Sequence, residues 1–192
     1  MKYFVGVLVT ILIIGGLFVG YKLGNSDDTT SSPSTSTTNT DTGTNSKVLD
    51  LSNTGLTEVT SNVYSKTSTT DLILSNNSIK SLPSEMGKMT NVLIFKIDHN
   101  ILEGSLIGEI RQMSKLKQLD VSYNNMTGMP AEIGQLSKLE ILNYSYNNIS
   151  GLPNELSNLK NNLKEFNLTG NPLSQEQINN LKTSLPNTTI IF

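Results

Sequence analysis

The feature that most constrains the fold is a repeat of 23 or 24 residues that runs from Lys47 to Leu173. Apolar residues and one asparagine recur in the spacing L-x-x-L-x-L-x-x-N-x-L-x-x-L. The repeated asparagines are Asn77, Asn100, Asn124, Asn147 and Asn171, and an incomplete first copy carries Thr54 at the equivalent place. Because one such unit is too short to bury its apolar side alone, the pattern predicts six copies stacked along one axis.

This spacing resembles the leucine-rich repeat family. The resemblance implies an α/β fold: a short curved solenoid with a parallel β-sheet on its concave side and 3-10 or short helical turns on its convex side. The second half of three copies looks like the L-P-x-x-I-G-x-L segment of bacterial-type repeats. These segments are Leu82-Pro83-Ser84-Glu85-Met86-Gly87, Met129-Pro130-Ala131-Glu132-Ile133-Gly134 and Leu152-Pro153-Asn154-Glu155-Leu156-Ser157. Proline ends a strand and can open a short helical turn. The third copy has no such proline after Leu102, so a locally different turn is expected there.

The repeated asparagines have a structural interpretation. In the family this residue is buried at the turn after each strand, where its amide and carbonyl groups bond to the backbone of adjacent copies as a ladder. By that resemblance Asn77, Asn100, Asn124, Asn147 and Asn171 support the fold and are not ligand-binding residues.

Both ends of the stack need caps, because their outer faces have no neighbouring copy. Ser174-Gln175-Glu176-Gln177 has the spacing of a capping box, and it precedes an apolar-periodic segment and an apolar run from Thr189 to Phe192. We therefore predict repeats over 47–173 and a cap helix and strand over 174–192. The first copy is the weaker end, with Lys66 at a position that is apolar elsewhere.

The outward-facing strand residues form the candidate binding surface, because alternate residues of a strand face opposite sides of a sheet. Aromatic residues ringed by polar groups are typical anchors of protein interfaces. The predicted partner-binding residues are Asp71, Ile73, Ile94, Lys96, Asp98, His99, Gln118, Asp120, Tyr123, Ile141, Asn143, Tyr146 and Glu165. Two alternatives stay open: the tyrosines and isoleucines could simply stabilise neighbouring strands, and the lone His99 could be solvated surface.

The first 46 residues differ in composition from the repeats. Tyr3 to Tyr21 is a run of 19 residues without formal charge, long enough for a membrane-spanning helix, so residues 1–24 are predicted to be a transmembrane helix or uncleaved signal anchor. A cleaved secretory signal is the alternative. Residues 25–46 are rich in Ser and Thr and predict a disordered linker. Lys2 and the amino terminus favour an inside N-terminus with the repeats outside the membrane.

Composition excludes several classes of function. The chain has no cysteine, so it has no disulfide framework, thiol nucleophile or cysteine-based metal site. Residues 47–192 carry 12 Lys and Arg against 13 Asp and Glu, a balance that does not predict nucleic-acid binding. The sequence contains no G-x-S-x-G, P-loop or H-E-x-x-H motif, so neither an enzyme nor a cofactor is predicted.

The function predicted from the sequence is recognition of another protein or a surface glycan through the concave face of a membrane-anchored domain. A structural or assembly protein that oligomerises without a separate ligand is the alternative, as is a secreted protein after signal cleavage. An enzyme using only His99 and the carboxylates of the concave face is a third and weaker possibility, because an open curved sheet excludes little water.

Overall fold

The computed structural model describes residues 47–192, which form a stack of short strands and turns. Seven parallel strands make one sheet in the order β1-β2-β3-β5-β7-β8-β9. Their bounds are β1 Val48–Asp50, β2 Asp71–Ile73, β3 Ile94–Lys96, β5 Gln118–Asp120, β7 Ile141–Asn143, β8 Glu165–Asn167 and β9 Thr189–Ile191. The solenoid predicted from the repeat, with its parallel sheet and short 3-10 turns, is confirmed.

The opposite side of the stack is built from four 3-10 helices. They are η1 Ser84–Lys88, η2 Gly108–Gln112, η3 Ala131–Gln135 and η4 Asn154–Leu159. Pro83, Pro130 and Pro153 stand immediately before three of them with φ between −72° and −74°, and this fixed torsion ends the extended segment and starts the turn. Ile107, with φ −64° and ψ 143°, takes the same backbone conformation before η2 without proline.

The local difference expected in the third copy lies before its 3-10 helix. There β4 Glu103–Gly104 pairs in parallel with β6 Asn125–Met126 to form a separate two-stranded sheet. Gly104 has φ +68°, a left-handed conformation that glycine adopts without a steric penalty from a side chain. The η2 turn itself has the same five-residue length as η1 and η3.

One continuous apolar core fills the space between the sheet and the 3-10 helices. Its largest buried side chains come from the repeated apolar positions, and examples from successive copies are Leu72, Phe95, Leu119, Leu142 and Phe166. Burial of these side chains supplies most of the favourable free energy of a repeat stack.

The repeated asparagines connect each copy to the one before it. Asn124 shows the pattern: its Oδ1 accepts a hydrogen bond from Leu102 N–H at 2.9 Å, and its Nδ2 donates to Val121 O at 3.0 Å and Ile97 O at 3.1 Å. Equivalent bonds to their own copy and to the preceding one are made by Asn77, Asn100, Asn147 and Asn171. The ladder satisfies buried backbone groups that the short strands leave unpaired.

The two ends of the stack are closed differently. At the first copy, the short helix α1 Ser61–Tyr64 buries Val63 against the core, while Leu51 and Leu56 remain half-buried. At the last copy, α2 Gln175–Ser184 begins with a capping box in which Ser174 and Gln177 bond each other's backbone N–H groups.

The predictions for residues 1–24, a transmembrane helix or signal anchor, and for the 25–46 linker fall outside the residues that the structure describes. Within 47–192, no helix combines the length and the apolar character needed to cross a membrane.

Candidate concave recognition surface

The strand register aligns the outward-facing residues into columns across the sheet. The first column runs Val48, Asp71, Ile94, Gln118, Ile141 and Glu165, and the second runs Asp50, Ile73, Lys96, Asp120, Asn143 and Asn167. The strand β9 extends these columns by Thr189 and Ile191. The candidate residues in the strands therefore lie side by side on one face.

The polar residues of the second column are engaged within the sheet. The Oδ1 atoms of Asp50, Asp120, Asn143 and Asn167 each accept two hydrogen bonds from the residue two positions later, one from its backbone N–H and one from its hydroxyl. Asp120 Oδ2 also accepts from Asn143 Nδ2 at 3.1 Å. We predicted that Asp120 and Asn143 contact a partner. Their hydrogen bonds also stabilise the backbone turn at the end of each strand. The recurring D/N-x-S/T triplet was the sequence signal for this role, and the prediction from sequence did not use it.

The third copy departs from this arrangement, because Lys96 occupies the second column and cannot accept a hydrogen bond. Its acidic residue stands two positions later, where Asp98 accepts a hydrogen bond from Ser75 Oγ and contacts His99 Nδ1 at 2.8 Å. Since an ionised carboxylate only accepts, Nδ1 carries the proton in this contact. Asp98 thereby fixes the plane of the His99 ring.

A stack of three aromatic rings lies at the strand exits, next to the concave face. The ring centroids of His99 and Tyr123 are 4.3 Å apart with planes inclined by 15°, and those of Tyr123 and Tyr146 are 4.3 Å apart with planes inclined by 19°. Tyr123 and Tyr146 remain 45% and 47% exposed. We call these three residues the aromatic rim.

The backbone under the aromatic rim is in the left-handed region. His99, Tyr123 and Tyr146 all have φ +52°, and the equivalent residues Asn53 and Asn76 have φ +57°. Asparagine tolerates this region, whereas a bulky side chain there costs roughly 1–2 kcal/mol. Tyr123 and Tyr146 of the aromatic rim thus stand at positions that are conformationally unfavourable for them.

In the last copy, the position equivalent to Tyr146 is occupied by a glycine. Gly170 has φ +76°, and a Cβ built on it would lie 2.9 Å from Cδ1 of Tyr146. The missing side chain leaves room for the Tyr146 ring, so one face of that ring packs against backbone. The facing sides of the three rings cover one another, while the two tyrosines remain about half exposed.

Tyr123 is also affected electrostatically by its surroundings. Desolvation raises the pKa of Tyr123, and the neighbouring charge and hydrogen bond of Tyr146 raise it further. The phenol of Tyr123 is therefore neutral at physiological pH, and its hydroxyl group can donate a hydrogen bond to a ligand.

The rest of the surface is mixed apolar and charged. Ile141 is 36% exposed, while Ile73 and Ile94 are half-buried. Asp71, Lys96 and Gln118 are also half-buried, and Glu165 is exposed. Among residues 47–192, no group of three or more His, Asp or Glu side chains is placed to hold a metal ion.

The acids of the third and fourth copies, Asp98 and Asp120, differ in their hydrogen-bond partners. Asp98 bonds Ser75 and His99, whereas Asp120 bonds Ser122 and Asn143. The two acids therefore serve different hydrogen-bond networks.

Fold and surface together define a short repeat solenoid with an open concave sheet. The Leucine Rich Repeat family model matches residues 115–136 and 138–159, which are two of the repeats. The resemblance of the sequence to the leucine-rich repeat family is thus confirmed.

Solved structures of leucine-rich repeat proteins share the architecture. A leucine-rich repeat protein of Leptospira interrogans is 26% identical with a TM-score of 0.57, over 71% of this chain and 40% of that one. The leucine-rich repeat ectodomain of the membrane receptor kinase GASSHO1/SCHENGEN3 of Arabidopsis thaliana, solved in complex with CASPARIAN STRIP INTEGRITY FACTOR 2, is 30% identical with a TM-score of 0.62. That match covers 74% of this chain and 17% of the receptor chain.

A curated relative matches over a shorter segment. Adenylate cyclase of Neurospora crassa is 39% identical over 57 residues, which are 30% of this chain and 2% of the cyclase. The chain thus spans a very small part of that enzyme's length.

Proposed function

We propose that this protein is a non-enzymatic recognition module that binds another protein through its concave sheet and the aromatic rim. The observation that carries the proposal is the aromatic rim itself. Three rings are stacked and about half exposed, and two of them belong to tyrosines whose left-handed backbone favours asparagine or glycine. Residues kept in unfavourable conformations concentrate at functional sites, and exposed tyrosines beside polar residues are frequent interface anchors.

A protein partner is favoured over a glycan by the way the rings are arranged. A sugar ring packs on the open face of an aromatic side chain, but the inner faces of the rim are covered by one another and by Gly170. The two tyrosines remain about half exposed, and phenol hydroxyl groups suit backbone carbonyls and polar side chains of a polypeptide. The similar receptor ectodomain, solved in complex with CASPARIAN STRIP INTEGRITY FACTOR 2, supports a recognition role for this architecture.

We further propose that the repeats are held outside a membrane by residues 1–24, with 25–46 as the linker. The uncharged run from Tyr3 to Tyr21 and the Ser- and Thr-rich segment after it support this arrangement. Alkaline washing of membranes and protease treatment of intact cells test it with a C-terminal tag. Retained protein whose tag is digested from outside is expected; a protected tag or protein released into the medium would overturn the anchored, outward orientation.

Position-specific photocrosslinking tests the binding proposal. A benzophenone side chain is placed at Tyr123 in one variant and at the exposed convex residue Asn158 in a matched control, both in the full chain in the cells that produce it. An adduct with another polypeptide is expected at position 123 and not at 158. Equal adducts at both positions, or none at 123, would contradict recognition by the concave side.

A further inference from the structure

The charges of residues 47–192 are divided unequally between the concave face and the rest of the domain. All four aspartates of this region, Asp50, Asp71, Asp98 and Asp120, lie on the outward-facing strand positions or their exits, together with Glu165. Lys96 is the one lysine or arginine among these strand positions of the described domain. The face is therefore negative although the domain as a whole is nearly neutral.

Three of the eight carboxylates elsewhere in the domain are neutralised by nearby bases. Glu140 lies between Lys164 and Lys117, and a hydrogen bond and the positive charge of Lys164 lower the pKa of its carboxyl. Glu103 and Glu132 pair with Lys80 and Arg111. On the concave face, Asp50, Asp120 and Glu165 have no ion pair with any other described residue, and the hydrogen-bond donors to the two aspartates are neutral.

The arrangement of these charges matches an extended ligand. Asp50, Asp120 and Glu165 lie on the first, fourth and sixth strands of the sheet, and neighbouring strands are about 4.8 Å apart. One small cation cannot contact carboxylates spread over this width, but a chain of cationic groups can. The aromatic rim runs along the same direction, across the exits of the third, fourth and fifth strands.

We infer that the concave face binds an extended polypeptide segment rich in lysine or arginine, running across the strands with its backbone against the aromatic rim. This inference rests on the proposed function and adds the chemistry of the partner. The phenol hydroxyls of Tyr123 and Tyr146 donate to backbone carbonyls, Ile94 and Ile141 contact the aliphatic stems of the basic side chains, and the carboxylates bind their charged ends. Attraction between the acidic face and the basic segment also accelerates association.

Three fluorescent peptides test the inference on the full-length protein in a neutral detergent. Each has 12 residues in which alanine alternates with lysine, threonine or glutamate, and binding is followed by fluorescence anisotropy. The lysine peptide is expected to bind at least about tenfold more tightly than the glutamate peptide, with an affinity that falls as salt is raised.

Charge-removal variants identify the face that binds the peptide. The test variant is Asp50→Asn/Asp120→Asn/Glu165→Gln, and the control is Glu85→Gln/Glu109→Gln/Glu155→Gln, which removes the same charge from the convex side. Asparagine at 50 and 120 keeps the two hydrogen bonds to the residue two positions later, because Asn143 and Asn167 make the same bonds at equivalent positions. At position 120 the substitution also removes the acceptor of the Asn143 Nδ2 hydrogen bond. The test variant is expected to lose about tenfold in affinity for the lysine peptide, and the control to change less than twofold.

The outcomes separate this inference from the broader proposal. Equal binding of lysine and glutamate peptides, equal effects of the two charge variants, or no binding of the lysine peptide at 1 mM would overturn a cationic ligand. If the threonine or glutamate peptide binds best and Tyr123→Asn/Tyr146→Asn abolishes that binding, the concave face still recognises polypeptides and only the inferred charge is wrong.

Discussion

Two sets of residues at adjacent sequence positions have different roles in this solenoid. Asn100, Asn124 and Asn147 face inward and are buried, and their side chains are fully engaged with backbone groups of two copies. His99, Tyr123 and Tyr146, one position earlier in the chain, face outward and contact mainly one another. The buried asparagines explain how the copies stack, while the residues of the aromatic rim add exposed aromatic surface at a conformational cost.

The difference between the buried asparagines and the aromatic rim indicates which repeated positions carry information about function. The inward asparagine is present in five copies, because each junction needs the same hydrogen bonds. The outward position changes along the stack from Asn53 and Asn76, through the aromatic rim, to Gly170. A position that keeps the same backbone conformation but varies in side chain is free to be adapted to a partner.

The largest effect is expected from removing one buried asparagine. Asn124→Ala leaves Leu102 N–H without its acceptor and the carbonyls of Ile97 and Val121 without that donor. Each unsatisfied buried group costs about 1–3 kcal/mol, so the free energy of unfolding should fall by about 3–5 kcal/mol. Denaturant unfolding measures the loss. The exposed neighbour Asn125→Ala is the control, and a similar loss in that variant would contradict the distinction between the two sets of residues.

A smaller loss is expected where two copies touch on the convex side. A Cβ on Gly134 would lie 2.6 Å from the carbonyl carbon of Glu155, which belongs to the backbone of η4 and cannot rotate away. Gly134→Ala should lower the free energy of unfolding by about 1–3 kcal/mol through this overlap. Gly151→Ala is the matched control, because a Cβ added at Gly151 would meet only open space, and its stability should change little. Equal effects in denaturant unfolding would show that the convex contact is loose.

The sequence was sufficient to predict the stack, the strand register and the identity of the outward columns. These features follow from the spacing of Leu and Asn, because a repeat imposes the same geometry on every copy. Two features of the candidate site were not predicted. The hydrogen bonds from Ser122 to Asp120 and from Ser145 to Asn143 depend on the local turn geometry, which the repeat spacing does not specify. The left-handed backbone at Tyr123 is unusual for a bulky residue, so the residue type gave no reason to expect it.

Tyr144 and Tyr146 belong to the same copy, but Tyr144 lies in the core and Tyr146 lies on the surface. Tyr144 is fully buried in the core, and its hydroxyl has no hydrogen-bond partner among the described residues; burial raises its pKa. Tyr144→Phe removes this unsatisfied group and keeps the ring, so the free energy of unfolding should stay the same or rise by up to about 1 kcal/mol. Thermal and denaturant unfolding check this. A loss above about 1 kcal/mol would show that the hydroxyl is needed for stability.

We propose that the aromatic rim serves recognition of another protein, whereas the asparagine ladder stabilises the fold. The most direct test of this claim is the free energy of unfolding of Tyr123→Asn/Tyr146→Asn, measured with denaturant. Stacked aromatic pairs contribute about 0.5–1.5 kcal/mol each, and relief of the left-handed strain at two tyrosines offsets a similar amount. The predicted stability therefore lies within about 1 kcal/mol of the unmodified protein. A loss of about 3 kcal/mol or more, comparable to that of Asn124→Ala, would contradict the claim and make the rim part of the fold's support.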